Sequence, residues 1–239
     1  MKGRLEMKEK PDIVYFVKPA VVNNELTYSL RTLDNFKVGG KVWFYGFCPY
    51  NLRPDEFVDC EQGLASKWVR VRNMLVKVCQ NDKITEDFWL FNDDFFVIKP
   101  VEKYVNEYDG DLKDFADDIY KKCGVKTKYI ERIYNLIRTL EKDGLPTKNY
   151  CLHKPMLVNR KKALEVLEKY PNEPMFRALY GNYWNIGEVE KGDCKISRFN
   201  KKKIGDDWRF VSTDDGTFRE DAVGKYIRER FDKPSRFEL

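Results

Sequence analysis

The residues best suited to chemistry are two neighbouring carboxylates that follow an apolar run. Asn92, Asp93 and Asp94 come directly after residues 87–91, and the chain turns apolar again at Phe95. Oxygen donors of this kind bind hard divalent cations, and a bound cation can neutralise a diphosphate. Because side chains alternate along a strand, the spacing predicts that Asn92 and Asp94 share one face. A solvated turn is the alternative, since Asn and Asp are common at strand ends.

The single histidine of the chain is the second candidate. His153 lies within residues 149–158, a stretch whose composition predicts a strand. An imidazole that joins oxygen ligands suits manganese or a similar cation better than calcium. The alternative interpretation is a histidine that is satisfied in the core or at the surface and binds no ligand.

Charged residues later in the chain supply further candidates. Arg177 and Lys195 can hold a phosphate, Arg through its planar fork and Lys as a point charge. Either can equally be a surface charge. A hydroxyl that must lose its proton in a reaction needs a general base. The sequence offers three unranked candidates for that base, which are Asp193, Asp214 and Asp215.

The elements that must position these residues follow an α/β pattern. The predicted strands are residues 12–17, 41–45, 87–92, 95–98, 149–158 and 210–213. The predicted helices outside the middle of the chain are residues 25–33, 66–80, 161–170 and 221–231. Asn23 or Asn24 can cap the first helix. The strand–helix–strand opening indicates a parallel sheet.

The middle of the chain predicts a Lys-rich helical insertion at about residues 108–146. Two helices are expected there, separated near Gly124. The positions predicted to face inward are Ile130, Ile133, Leu136, Ile137 and Leu140. The whole chain, residues 1–239, is interpreted as one domain, with a mostly parallel central sheet flanked by helices and carrying this insertion.

Composition excludes several classes of protein. A hydrophobic content of 42% is too high for a disordered chain, and no apolar stretch reaches the ~18 residues of a membrane span. Because the first ten residues have no apolar core, no secretory signal is indicated and a cytoplasmic location is expected. A net charge of +5 is not that of a dedicated nucleic-acid binder, although it permits an anionic partner. Six scattered cysteines without a C-x-x-C pair argue against structural zinc.

Five blocks carry a family resemblance when they are taken together in chain order. They are residues 12–17, residues 23–31 (NNELTYSLR), residues 92–96 (NDDFF), residues 153–155 (HKP) and residues 234–238 (PSRFE). In combination they resemble the conserved blocks of Stealth-type sugar transferases and, more broadly, of GT-A glycosyltransferases. The resemblance runs from about residue 12 to the C-terminus. It implies a GT-A-like (Rossmann-like) fold and a nucleotide-sugar donor, with a UDP-sugar expected, and Mn²⁺ or Mg²⁺ bridging the diphosphate and the acidic motif.

The resemblance also implies roles for individual residues. Asn92, Asp93 and Asp94 match the DXD-like acidic motif, and His153 matches the late-strand histidine. The metal ligands expected on this basis are Asp94, Asp93 and His153. The residues expected to bind the donor are Asn73, Asn92, Asp93, Arg177, Lys195, Glu25 and Arg31.

The expected activity is metal-dependent transfer of a sugar from a nucleotide sugar to an acceptor hydroxyl. The acceptor is expected to be a polysaccharide or teichoic-type polymer, or modified bases in DNA. One alternative is transfer of a sugar 1-phosphate, as in Stealth-type enzymes of cell-surface polysaccharide synthesis. Another is a non-catalytic module that binds a nucleotide sugar. The Lys-rich insertion can face an anionic acceptor or form a solvated helix face.

Overall fold

The computed structural model describes residues 9–60, 66–198, 200 and 202–239. The strands of this part of the chain are β1 Asp12–Val17, β2 Val42–Gly46, β3 Glu56–Asp59, β4 Asp87–Phe91, β5 Phe95–Val97, β6 Glu107–Tyr108, β7 Met156–Asn159, β8 Val189–Glu190, β9 Lys195–Ile196 and β10 Phe210–Thr213. The α-helices are α1 Asn24–Thr32, α2 Lys67–Gln80, α3 Leu112–Cys123, α4 Lys128–Lys142, α5 Arg160–Lys169, α6 Phe176–Trp184, α7 Asp215–Glu220 and α8 Ala222–Arg230.

The central sheet has five strands in the order β3-β2-β1-β4-β7. β1 runs parallel to both β2 and β4, with Ile13 opposite Val42 on one side and Trp89 on the other. β3 is also parallel, and β7 at the far edge is antiparallel. The predicted α/β fold with a mostly parallel central sheet flanked by helices is therefore confirmed. Because β1 and β4 are parallel neighbours, their carboxyl ends meet at one edge of the sheet.

A second, three-stranded sheet begins with β5, directly after the turn that follows β4. Its order is β5-β10-β9, with β10 antiparallel to β5 and parallel to β9. Phe95 lies opposite Ser212, and Ser212 lies opposite Lys195. Residues 95–98 were expected as a strand, and the structure places β5 in this separate sheet because the chain turns at residues 93–94. The register brings the residues next to Phe95 close to Lys195.

Helix α1 fastens this second sheet to the central one. The Tyr15 hydroxyl and the Ser29 hydroxyl are 2.9 Å apart, and Ser29 Oγ donates a 2.5 Å hydrogen bond to the Phe95 carbonyl. The Val97 backbone N–H donates to Thr32 Oγ1 at 2.9 Å. These buried hydroxyls satisfy backbone groups of β5 that would otherwise lack partners. They fix the position of β5 directly after the acidic turn.

Local signals explain where several helices begin and end. Asn23 caps α1, since its Oδ1 accepts a 3.1 Å hydrogen bond from the Leu26 N–H. Gly124 adopts φ 68°, a left-handed conformation that glycine tolerates and that ends α3. The predicted separation of the two insertion helices near Gly124 is therefore confirmed.

The helical insertion is built on a shared apolar seam. Helices α3 and α4 pack on each other, and α4 also contacts α6. All five residues predicted to face inward are buried, namely Ile130, Ile133, Leu136, Ile137 and Leu140. The spacing of apolar residues at helical period is sufficient to predict this packing. No helix in the described part of the chain is long and apolar enough to cross a membrane.

The strand predicted over residues 149–158 is wrong for its first part. Only Met156–Asn159 form a strand, and residues 149–155 are irregular. Asn149 Oδ1 accepts a 3.0 Å hydrogen bond from the Cys151 N–H, a local turn that competes with strand pairing. Pro155 has no N–H to give to a ladder. His153 therefore lies in a turn-rich segment before β7.

Candidate functional site

Three carboxylates, Glu25, Asp93 and Asp94, lie together beyond the carboxyl ends of β1 and β4; we call them the acidic edge. Glu25 belongs to the first turn of α1, and Asp93 and Asp94 form the turn between β4 and β5. The prediction that Asn92 and Asp94 share a strand face is wrong, because β4 ends at Phe91 and the chain turns. Asn92 is exposed.

Asp93 is held by the residue that caps α1. Asn23 Nδ2 donates a 2.9 Å hydrogen bond to Asp93 Oδ2, while Oδ1 of the same amide caps the helix. Burial raises the pKa of Asp93, and the neighbouring charge of Asp94 raises it further. The hydrogen bond from Asn23 opposes these two effects. Asn23 thus ties the start of α1 to the acidic turn.

Asp94 is anchored by the second sheet. Lys195 Nζ lies 2.6 Å from Asp94 Oδ2, and the Ser212 hydroxyl donates to the same oxygen at 3.0 Å. Lys195 also donates to Ser212 Oγ at 3.2 Å and to the Thr213 carbonyl. The Asp94–Lys195 pair is mostly shielded from solvent. The carboxylate is therefore fixed in orientation by two groups, one from β9 and one from β10.

Glu25 is the third carboxylate of the acidic edge. Its Oε1 accepts a 3.0 Å hydrogen bond from Thr213 Oγ1. Burial raises the pKa of Glu25 to about 7, and the charges of Asp94 and Asp93 contribute to the rise. Thr213 and Lys195 act in the opposite direction. Lys195 is the only ammonium group bonded to these three carboxylates in the described residues, although the charge of Lys18 also acts on Asp93.

The hydrogen bonds to the two aspartates leave oxygens available. Among the described residues, the side chains of Asn23, Lys195 and Ser212 all donate to Oδ2 atoms, so that no side chain donates to Oδ1 of Asp93 or Asp94. Within the same residues, no three His, Cys, Asp or Glu side chains come together as a metal site. Two carboxylates alone suit a cation of the Mg²⁺ type, which takes its remaining ligands from water and substrate phosphates.

His153 and Asp193 form a second polar cluster. His153 Nδ1 lies 2.7 Å from Asp193 Oδ2, and the His153 backbone N–H donates to Asp193 Oδ1 at 2.8 Å. Asp109 supports the pair, since its Oδ2 accepts a 3.1 Å hydrogen bond from the Asp193 N–H. Burial alone raises the pKa of Asp193, but the bonds and charge of His153 outweigh it and lower that pKa. The carboxylate therefore stays ionised and orients the ring, leaving Nε2 on the other side.

Arg177 occupies a position between the two clusters. Its guanidinium donates to the Leu90 carbonyl at 3.0 Å and to the Lys154 carbonyl at 2.8 Å, and it lies 5.4 Å from the centre of the Phe95 ring. Burial lowers the pKa of Arg177 to about 10, whereas Asp94 and Asp193 both raise it. The charge of Arg177 thus acts on both clusters, and its role on phosphates stays a prediction.

Two of the predicted base candidates are engaged in helix α7. Asp214 caps this helix, because its Oδ1 accepts a 2.8 Å hydrogen bond from the Thr217 N–H, and its pKa is lowered, since these bonds outweigh burial. Asp215 is exposed and pairs with Arg219 at 3.4 Å within one helical turn. Of the three candidates, only Asp193 contacts the single histidine. Their catalytic roles stay predictions.

The other predicted donor-binding residues lie in different surroundings. Arg31 holds the C-terminal segment, with its Nε and Nη2 donating to the two oxygens of Glu238 at 2.8 and 2.7 Å. Asn73 is exposed on α2. The contacts of Arg31 bind residues 234–238 to α1, which explains why these two blocks occur together in one sequence. Donor binding by Arg31 and Asn73 stays a prediction.

Several residues of the site were not predicted. The sequence predicts Asn23 as a helix cap but not its bond to Asp93. It predicts Ser212 and Thr213 as the end of a strand but not their bonds to Asp94 and Glu25. Asp109 carried no signal, because nothing near it in the sequence indicates a contact with Asp193. The contacts of these residues span long stretches of chain, and they could not be read from local pattern.

No protein-family model matches the sequence, and no curated protein matches it. Among solved structures, the chain is similar to the galactosyltransferase LgtC in complex with donor and acceptor sugar analogues, with 12% identity, a TM-score of 0.47, and coverage of 92% of this chain and 94% of that chain. An active-site mutant of LgtC gives 14% identity, a TM-score of 0.44 and the same coverage.

Proposed function

We propose that this protein is a glycosyltransferase of the GT-A type, which uses a divalent cation and transfers a sugar from a nucleotide-sugar donor to an acceptor hydroxyl. The observation that carries the proposal is the acidic edge. Two oriented carboxylates, with Oδ1 atoms that receive no side-chain hydrogen bond from the described residues, lie where parallel α/β sheets bind their ligands. Carboxylates are concentrated there, and a divalent cation would reduce their repulsion of a donor diphosphate.

The acidic edge fits a cation that is shared with the donor. Asp93 and Asp94 would hold it, with the remaining positions taken by diphosphate oxygens and water. When bound, such a cation stabilises the negative charge that develops on the leaving diphosphate. The contribution of the chain is to fix both carboxylates in advance, Asp93 through Asn23 and Asp94 through Lys195 and Ser212.

The His153–Asp193 pair supports a role in proton transfer. With Asp193 ionised, its Oδ2 accepts the hydrogen bond of the His153 Nδ1–H, which holds the imidazole in one orientation. Nε2 can then accept the proton of an acceptor hydroxyl. The same orientation suits a metal ligand. Within the described residues, however, no third ligand of the His, Cys, Asp or Glu type joins the pair. The general-base role for His153, with Asp193 as its positioning residue, is therefore favoured.

Donor turnover tests the proposal. The protein is incubated with UDP-glucose and UDP-galactose, in MnCl₂, in MgCl₂ or in EDTA, and the released nucleotides and sugars are quantified. Release of UDP that requires the cation, stops in EDTA and resumes when the metal is restored is the expected result. Thermal shift in the same mixtures should show stabilisation by donor and metal together.

Other outcomes of this experiment separate the alternatives. Release of UMP instead of UDP indicates transfer of a sugar 1-phosphate. Donor binding with neither hydrolysis nor transfer indicates a non-catalytic module that binds a nucleotide sugar. UDP release that is unaffected by EDTA contradicts the metal dependence. If none of a panel of nucleotide sugars stabilises the fold with or without metal, the proposal is wrong.

A further inference from the structure

A cavity of about 420 Å³ lies beside the His153–Asp193 pair. Its walls come from residues 191–194, from residues 202–203 and 207–210, and from the side chains of Glu107 and Lys154. We call this cavity the basic pocket. Its volume lies within the range of about 300–1,000 Å³ that is usual for small-molecule sites.

Most of the acidic groups in the basic pocket already have partners. Glu107 pairs with the ammonium group of Lys154, and both side chains are shielded from solvent. Asp193 is bonded to His153. The charge of Glu107 is therefore compensated by Lys154, whereas the ionised Asp193 keeps one negative charge at the cavity.

The remaining basic groups of the pocket are uncommitted. In the described part of the chain, Lys191 and Lys203 form no ion pair, and Lys202 Nζ donates only to the Asp193 carbonyl, at 3.3 Å. Arg209 donates to the Lys103 carbonyl at 3.4 Å, so its charge too is not neutralised. Asp207 is the one carboxylate of the pocket without a described partner. The excess is positive, which favours an anionic ligand.

One wall of the pocket is aromatic. Trp208 and Phe210 line it, and Phe210 is buried while Trp208 is partly exposed. An exposed indole offers a flat apolar face together with an N–H donor, a combination that suits a sugar ring. Positive charge beside an aromatic face therefore fits a ligand that carries both a phosphate and a sugar.

The pocket is adjacent to the acidic edge but distinct from it. Its described lining residues all come from residue 107 onward, so that none belongs to β1, β2, β3 or β4. Two short paths connect the regions, because Lys195 follows Asp193 by two residues and Ser212 follows Phe210 by two residues. A ligand in the pocket would lie beside Asp193, the partner of His153.

We infer that the basic pocket binds a phosphorylated sugar as the acceptor, with its phosphate held by Lys191, Lys202 and Lys203. That the ligand is an acceptor rests on the proposed function, whereas the pocket itself is defined by its charges and shape. The described lining of the cavity includes none of six basic residues of the Lys-rich insertion, Lys121, Lys122, Lys126, Lys128, Arg132 and Arg138. The structure thus favours residues 191–194 and 202–210 over the insertion as the acceptor side.

Titration calorimetry in EDTA, with glucose 6-phosphate, inorganic phosphate and glucose as probes, tests the inference. The test variant carries Lys191→Gln, Lys202→Gln and Lys203→Gln. The matched control carries Lys161→Gln, Lys225→Gln and Lys233→Gln, which remove the same charge from exposed sites elsewhere. Glucose 6-phosphate should bind the wild type and the control alike, and the test variant about 10-fold or more weakly. Uncharged glucose should bind far more weakly than its phosphate.

Equal affinity of the two triple variants for glucose 6-phosphate would overturn the inference, as would absence of binding to the wild type. Equal affinity for inorganic phosphate and glucose 6-phosphate would overturn its sugar component. If the test variant does not fold by circular dichroism, Lys191→Gln alone is compared with Lys161→Gln. Thermal shift with UDP-glucose and MnCl₂ runs in parallel. A protein that binds glucose 6-phosphate but no nucleotide sugar contradicts the proposed function only, and the reverse result contradicts the pocket only.

Discussion

The acidic edge and the basic pocket are opposite in charge, yet they are built alike. At the acidic edge three carboxylates, those of Glu25, Asp93 and Asp94, lie beside one bonded ammonium group, that of Lys195. In the basic pocket Glu107 pairs with Lys154, and the remaining basic side chains outnumber the carboxylates. In both regions a bonded pair fixes the geometry, and groups of one sign outnumber the others. Under the two proposals, the acidic edge would bind a cation and the basic pocket an anion.

A fully balanced pair gives the contrast. Arg31 and Glu238 share two hydrogen bonds, and the exposed fractions of their side chains are only 13% and 15%. No charge is left over there, and the pair holds the C-terminal segment against α1. A charged residue in a recognisable block can therefore be structural. Excess charge, rather than the presence of charge, distinguishes the acidic edge and the basic pocket.

The largest effect is expected from the acidic edge. Asp94→Asn keeps the shape of the side chain but removes the charge that faces the donor site. We expect kcat for donor turnover to fall about 10²–10³-fold, the loss that follows removal of one oriented electrostatic group. The measurement is UDP release in saturating MnCl₂. Asp82→Asn, a change at an exposed aspartate, is the matched control and should keep wild-type activity.

This first prediction also tests whether the two regions are independent. Asp94→Asn should leave glucose 6-phosphate binding in EDTA unchanged, because no residue of the acidic edge lines the pocket in the described structure. Full activity of Asp94→Asn would show that the acidic edge is not the catalytic centre. Loss of sugar-phosphate binding in this variant would show that the two regions are one site.

A smaller effect is expected at Asp193, which bonds to His153 and also lines the basic pocket. Asp193→Asn removes the charge that orients His153, and comparable second-layer changes cost about 10–100-fold in activity. We expect the loss in kcat, with a changed pH dependence of kcat and an unchanged KM for the donor. Because the change also removes a negative charge from the pocket, glucose 6-phosphate should bind at least as tightly as in the wild type. A loss confined to KM would assign Asp193 to ligand binding instead.

Most of the central sheet and most of the helices could be predicted because their signals are local, but β3 and α7 were not predicted. The side chains of β3 are mostly exposed, so that no apolar run marks this strand. β1 and β4 are continuous apolar runs, and the Asn23 cap and the spacing of apolar residues specify α1 and α4. Helix α6 was missed, since Met175 before it makes no capping bond and its burial on several sides blurs the helical period. The acidic turn could be located on the sequence, but its geometry was misjudged as an extended strand.

The contacts that make the site could not be predicted from local pattern. Lys195 and Asp94 are 101 residues apart, and Ser212 and Asp94 are 118 residues apart. They meet through the register of β5, β10 and β9, and β9 has only two residues. Two residues carry no periodicity. The basic pocket could not be predicted from local pattern either. Its lysines can be identified as unpaired only when the structure shows which partners Glu107 and Asp193 have.

The smallest effect concerns pH, and it tests how burial and neighbouring charges act on Glu25 in the acidic edge. Since the pKa of Glu25 is about 7 in the folded protein and about 4.5 when unfolded, the folded state retains a proton between these values that the unfolded state has released. The unfolding free energy should therefore fall as pH rises from about 5 to 8, and the raised pKa of Asp93 acts in the same direction. In Glu25→Gln this fall should be smaller by on the order of 1–2 kcal/mol, one pKa unit being worth about 1.4 kcal/mol.

Denaturant unfolding at pH 5 and pH 8 measures this difference, with Glu168→Gln, a change at an exposed glutamate, as the control. MnCl₂ should reduce the fall in the wild type, because a cation favours the ionised carboxylates. Identical pH dependence in Glu25→Gln and the wild type would mean that Glu25 holds no extra proton in the folded protein, contrary to the rise in its pKa expected from burial and from the charges of Asp94 and Asp93.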